Sequence, residues 1–179
     1  MEIEEGVVKT DRHTSAYLAC GPSSGPRLYF IHGWPELSLS WRHQLKTLGN
    51  MGFRTIAPDM RGYGNSTIYD AHEDYAQTEI IRDMRELHDE TGDGPAVWIG
   101  HDWGSPVVWN MALHHPERVH AIASLCVPMG FEEGVEALIP YVNRDIYPEE
   151  EFPKGQWDYQ YFYQESFEVA QKEMEVDPY

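Results

Sequence analysis

Three features of this sequence predict an α/β fold, a mostly parallel sheet with helices on both faces. Short runs that are apolar on both sides alternate with helix-length segments. The runs end in glycine, proline, histidine or aspartate. The chemically unusual residues gather at those ends. A parallel strand is covered on both faces, so its sequence lacks the polar alternation of a half-exposed strand.

Residues 27–31 form the first such run and lead into His32-Gly33. Residues 55–57 lead into Pro58-Asp59, residues 96–99 into Gly100-His101-Asp102, and residues 121–127 into Pro128. Between them the spacing becomes helical. Trp41, Leu45 and Leu48 fall at i, i+4 and i+7, as do Ile80, Met84 and Leu87. Residues 107–113 are apolar nearly all round, which marks a buried helix stopped by Pro116. Strand–helix alternation of this kind gives a doubly covered sheet, and such sheets bind ligands beyond the carboxyl ends of their strands. After Pro128 glycine, proline, acid and aromatic residues mix without a clean strand, and Ser166 is placed to cap a short helix reaching about Glu175. Residues 1–128 are therefore expected to form a core and 129–179 the start of an inserted or appended cap.

At 179 residues the chain can bury a substantial core. Thirty acidic residues against 13 basic give a net charge of −17. Such a surface repels phosphate backbones and anionic lipid heads, which argues against nucleic-acid and membrane partners. The acid is concentrated toward the end, where residues 131–179 hold 13 Asp or Glu and three basic residues. That is the composition of a solvated surface; with only four lysines in the chain, it also fits a salt-loving host. Cys20 and Cys126 lack the paired spacing of a metal site or a disulfide. The acidic start lacks the apolar core of a secretory signal, and no run reaches 18 apolar residues, so a soluble cytoplasmic protein is expected.

Gly100-His-Asp-Trp-Gly104 has the form Gly-x-nucleophile-x-Gly between a buried strand and a helix. A sharp strand-to-helix turn leaves no room for side chains at the two glycines and lifts the central side chain out of the sheet. With aspartate as nucleophile, attack on an ester would yield an anhydride and gain little. Attack on an sp³ carbon bearing a good leaving group yields an alkyl ester that water can cleave. Epoxides and alkyl halides offer such carbons. By itself Asp102 could equally cap the following helix. His32-Gly-Trp-Pro35 lies 70 residues earlier, at the end of another run. The N–H groups of Trp34 and Trp103 would together form a two-donor oxyanion hole, although this motif alone reads as an ordinary turn. Asp59-Met-Arg-Gly-Tyr-Gly-Asn-Ser66 is a glycine-rich turn with a structural part to play.

These three motifs, in this order and spacing, resemble the epoxide hydrolase branch of the α/β-hydrolase family. The resemblance runs from about residue 7 to the end and includes 157–165, which is similar to that branch's cap. It implies an α/β-hydrolase fold, a small-molecule epoxide as substrate and no cofactor. It also puts Tyr159 where the family has its first epoxide-activating tyrosine; otherwise Tyr159 is one of four aromatics in a cap cluster. The family's second cap tyrosine, orienting acid and base histidine find no counterpart, so the chain is expected to be truncated within the cap and catalytically incomplete. His114, His115 and His120 fall at the far end of the sheet, and His101 should point away from Asp102. Two other readings stand beside this one. A haloalkane dehalogenase also uses an aspartate nucleophile, but it has asparagine where Trp34 stands and no use for Tyr159. The other is a non-catalytic fragment or interaction module. Oligomeric state is not legible.

Overall fold

A computed structural model describes residues 1–129 and 134–176. The chain divides into two compact units, Met1–Met129 and Gly130–Tyr179. Of the region expected to begin a cap, 130–133 and 177–179 lie outside the described residues.

The first unit is built on a six-stranded sheet of order β1-β2-β4-β3-β5-β6. Strands β3 (Arg27–Ile31), β4 (Arg54–Pro58), β5 (Ala96–His101) and β6 (Val119–Leu125) pair in parallel. β1 (Glu4–Lys9) and β2 (Thr14–Cys20) add an antiparallel edge. Alternation along β3 shows how both faces are used. Tyr29 and Ile31 join Ile81, Met84 and Leu87 of α2 (Gln77–Thr91) and Val107, Val108 and Met111 of α3 (Gly104–His114). Leu28 and Phe30 turn the other way, to Trp41 and to Leu45 of α1 (Arg42–Asn50). Burial of both sets explains why β3 reads as one apolar run. Tyr29 stacks on Trp98 of β5 with ring centroids 4.2 Å apart, a contact of about 0.5–1.5 kcal/mol beyond its area.

The expected runs match the four parallel strands, with shifts at their ends; β6 begins at Val119 and ends at Leu125, not Val127. Trp41 precedes α1 in a short 3₁₀ turn, and Ile81 rather than Ile80 is the fully buried residue at the start of α2. The β1–β2 hairpin is not foreseen by the periodicity. β1 reads Glu-Glu-Gly-Val-Val-Lys and buries only Val8, so it is held by its ladder to β2 rather than by an apolar face.

The second unit contains a 3₁₀ segment (Val135–Tyr141), α4 (Asp158–Glu165) and α5 (Phe167–Val176). Its buried residues are few: Val142 packs under Gly155, and Ala170 lies on the inner side of α5. Arg144 ties a loop by donating to the carbonyls of Phe152 and Pro153 at 2.8 and 3.1 Å. α4 was not foreseen; its first turn is anchored where Asp158 accepts the Lys154 N–H at 3.3 and 3.2 Å. α5 closely follows the helix expected after Ser166, whose carbonyl accepts the N–H groups of Val169 and Ala170. Among the described residues no helix is long and apolar enough to cross a membrane.

Candidate active site

β5 delivers Asp102 to the turn before α3, where its φ is +52°, a left-handed conformation that side chains rarely adopt. The two flanking glycines make the turn possible. A Cβ on Gly100 would lie 2.2 Å from the Gly104 carbonyl oxygen, and one on Gly104 would lie 2.2 Å from that of Ile31. The turn is also pinned from β6: the Asp102 N–H donates to the Leu125 carbonyl at 3.2 Å, and the Ser105 hydroxyl donates to the same oxygen at 2.9 Å. Asp102 uses its main-chain carbonyl, not its carboxylate, at the start of α3, where it accepts the Ser105 N–H at 2.9 Å.

The carboxylate turns to the strap after β3. Its Oδ1 accepts the Trp34 N–H at 2.9 Å. Gly33 is the reason it can come so near, because a Cβ there would stand 2.4 Å from that Oδ1. Trp103 precedes the first residue of α3, so its N–H points out of the helix's own ladder at the end where the dipole favours negative charge. Its side chain is 60% exposed. The strap and the elbow thus bring Trp34, Trp103 and Asp102 together at the carboxyl ends of β3 and β5. The Trp34–Pro35 peptide is cis.

The glycine-rich turn after β4 braces the strap. Asp59 accepts the N–H of Ser38 on Oδ1 at 3.0 Å and that of Asn65 on Oδ2 at 3.1 Å. Arg61 leaves the site altogether and forks onto Asp83 of α2 at 2.6 and 2.8 Å. Tyr63, which the motif alone did not single out, packs its ring edge-on to His32, centroids 5.0 Å apart. Burial raises the Tyr63 phenol above its ordinary pKa, and the negative charge of Asp102 adds to the effect.

His114, His115 and His120 lie away from the elbow, as expected. His114 ends α3, about 15 Å along the helix from Gly104. His115 follows it, and His120 lies at the start of β6. His101 has an acidic partner that the sequence did not disclose: its Nδ1 lies 3.0 Å from Glu36 Oε2 on the strap. Glu36 follows Pro35 by one residue, so that pairing was readable only once β3 and β5 were known to be neighbours. Tyr159 belongs to the second unit, on the first turn of α4. It is 42% exposed, its hydroxyl accepts from Gln160 Nε2 at 3.0 Å, and its ring stands edge-on to Tyr163 at 6.1 Å. Both cysteines are free, and no cluster of metal-ligating side chains occurs among the described residues.

A profile of the alpha/beta hydrolase fold matches residues 26–165, from the start of β3 to the end of α4. This chain belongs to the α/β-hydrolase family. Within the family, its similarity runs to the epoxide hydrolases. It is 43% identical over 124 residues to epoxide hydrolase A of Mycobacterium tuberculosis, which covers 69% of this chain and 38% of that protein. Over 153 residues it is 41% identical to bifunctional epoxide hydrolase 2 of Sus scrofa, 85% of this chain and 26% of the other. Among solved structures, epoxide hydrolase A from Mycobacterium thermoresistibile superposes with a TM-score of 0.70 at 40% identity, over 79% of this chain and 45% of that one. An epoxide hydrolase from Vigna radiata gives 0.71 at 34% identity, over 82% and 48%. This α/β-hydrolase chain therefore spans less than half the length of each of these relatives.

Proposed function

We propose that this α/β-hydrolase chain carries the nucleophile of an epoxide hydrolase, with Asp102 forming an alkyl ester to an epoxide carbon. The observation that carries the reading is the Asp102 carboxylate, set on a left-handed elbow with one oxygen held by the Trp34 N–H at 2.9 Å. That bond engages one oxygen, and in this reading the other attacks. A new O–C bond forms as the ring C–O bond breaks, and the departing oxygen takes a proton. Tyr159 is the donor in this reading, since an alkoxide leaves poorly unless an acid meets its developing charge. Cleavage of that ester to the diol needs in addition a base that takes a proton from the attacking water, a role no residue of this chain is assigned. As water attacks, the negative charge would collect on the oxygen that faces the N–H groups of Trp34 and Trp103, which act as the oxyanion hole.

The reaction requires no cofactor, because nucleophile, acid and oxyanion donors are all protein groups. The substrate is a small epoxide, residues 129–179 are read as the beginning of a cap, and the cytoplasm is the proposed location. The names of the relatives support the substrate class, and the aspartate at the elbow supports the covalent route.

Mass spectrometry of the protein after incubation with an aryl epoxide tests this directly. One adduct is expected, on the peptide containing Asp102, and none in Asp102→Ala. An adduct elsewhere removes the nucleophile assignment. In the same assay Tyr159→Phe should slow ester formation by about 10²-fold, the usual loss for an acid catalyst. An unchanged rate would make Tyr159 a packing residue. A parallel incubation with an alkyl halide separates the dehalogenase reading, which requires halide release to outpace epoxide alkylation.

A further inference from the structure

His32 ends the run that contains β3 and is 1% exposed. Both ring nitrogens meet main-chain groups. Nδ1 lies 2.8 Å from the Gly33 carbonyl oxygen, which can only accept, so Nδ1 bears the proton. Nε2 lies 3.0 Å from the Met60 nitrogen, an N–H that can only donate, so Nε2 presents a lone pair. The two partners select one neutral tautomer. A second proton would set an N–H of the ring against the N–H of Met60.

The Gly33 carbonyl belongs to the same peptide unit as the Trp34 N–H. That unit is planar, with C=O and N–H pointing in opposite directions. Pinning the oxygen at one end therefore aims the hydrogen at the other, toward Asp102 Oδ1. A bond received at the oxygen also polarises the N–H and strengthens it as a donor. The Glu36 N–H shares the Gly33 oxygen at 3.0 Å, so the peptide is held from two sides. His32 links it to the turn after β4.

We infer that His32 is a positioning residue that, as the Nδ1-protonated neutral imidazole, sets the direction and strength of the Trp34 N–H on Asp102. The inference rests on the reading of Asp102 as nucleophile for its catalytic consequence, but not for the linkage itself. Burial lowers the pKa of His32; the Gly33 bond and the negative charges of Asp59 and Glu36 oppose this. The Tyr63 ring packs against the imidazole in a T-shaped arrangement. The neutral form thus persists below the ordinary histidine range, and acid that finally protonates the ring breaks the Met60 bond.

The test uses the ¹⁵N-labelled 179-residue chain. Long-range ¹⁵N–¹H spectra should show His32 protonated on Nδ1 at neutral pH, and the Trp34 amide should shift together with His32 as pH is lowered. His32→Gln can still donate to Gly33 and accept from Met60; His32→Phe can do neither. The Trp34 amide should stay near its wild-type position in the first and move upfield, with faster solvent exchange, in the second. Ester formation at Asp102 should fall about tenfold in His32→Phe, less than the 10²–10³ of a lost oxyanion donor because the N–H remains, and recover in His32→Gln. An Nε2-protonated ring, or a Trp34 amide indifferent to His32→Phe, overturns the inference. If His32→Phe does not fold, the wild-type titration decides, and a Trp34 amide that ignores His32 protonation overturns it equally. If the wild type shows the linkage but forms no ester, the linkage stands and the proposed function falls.

Discussion

Two carboxylates in the first unit are held in opposite ways. Asp83, on α2, is fully buried and enclosed by cations. Arg61 forks onto both its oxygens, Arg12 adds a close contact to Oδ1, and His13 Nε2 stands 3.6 Å from Oδ2. The Asp102 carboxylate, at the elbow, accepts the backbone N–H of Trp34 on one oxygen. A carboxylate enclosed by guanidinium groups is spent on structure. One that is held by a backbone N–H on a left-handed turn suits the proposed role of nucleophile. The cluster around Asp83 also has a task that the elbow lacks: it ties the β1–β2 turn, through Arg12 and His13, to α2 and to the glycine-rich turn.

The largest expected difference between the two is in stability. Asp83→Ala strands two cations against a buried site, and breaking a buried pair from one side costs about 3–5 kcal/mol. Asp102→Gly should be neutral or stabilising by up to about 1 kcal/mol, since glycine accepts the left-handed backbone without steric cost, while ester formation disappears. Urea unfolding of the two variants compares them. An Asp83→Ala chain as stable as wild type would make the cluster decorative, and a large loss in Asp102→Gly would make Asp102 a structural residue.

A smaller effect is expected at Gly33. Its substitution by alanine places a methyl group 2.4 Å from Asp102 Oδ1, an overpacking of about 1–3 kcal/mol. The carboxylate must rotate or the strap must lift, and either breaks the Trp34 bond. Ester formation should therefore fall far more than stability. A Gly33→Ala variant that alkylates at the wild-type rate would show that Asp102 does not need the strap.

The smallest effect concerns acid. Burial pushes His13 below its ordinary pKa; Asp83 opposes this, while Arg61 and Arg12 push the same way. The unfolded chain, with histidine near 6.5, then binds the proton first. Stability from this group is complete above about pH 6.5 and declines as pH falls toward the folded value, by at most about 1.4 kcal/mol per pH unit. His32 and His88, also lowered by burial, act in the same direction. His13→Phe should flatten the slope of unfolding free energy between about pH 6.5 and 5. An unchanged slope would assign the acid sensitivity to the other histidines lowered by burial, His32, His88 and His115.

Much of the fold and of the elbow was legible because local rules decide it. Apolar runs such as 27–31 can be stable only when covered on both faces, and Gly-x-Asp-x-Gly between a strand and a helix can make only a tight turn. Those constraints act within a few residues, so order along the chain suffices to read them. The remaining features depend on which strands become neighbours. β1 carries no apolar face and forms because β2 is there to pair with it. The motif at 59–66 did not reveal that Arg61 leaves the site for Asp83 while Asp59 stays to clasp the strap. The pairing of His101 with Glu36 and the two-sided grip of His32 on Gly33 and Met60 likewise join residues from separate strand ends. A hydrogen bond or ion pair forms only within about 3–4 Å, and only the parallel packing of β4, β3 and β5 brings these ends that close.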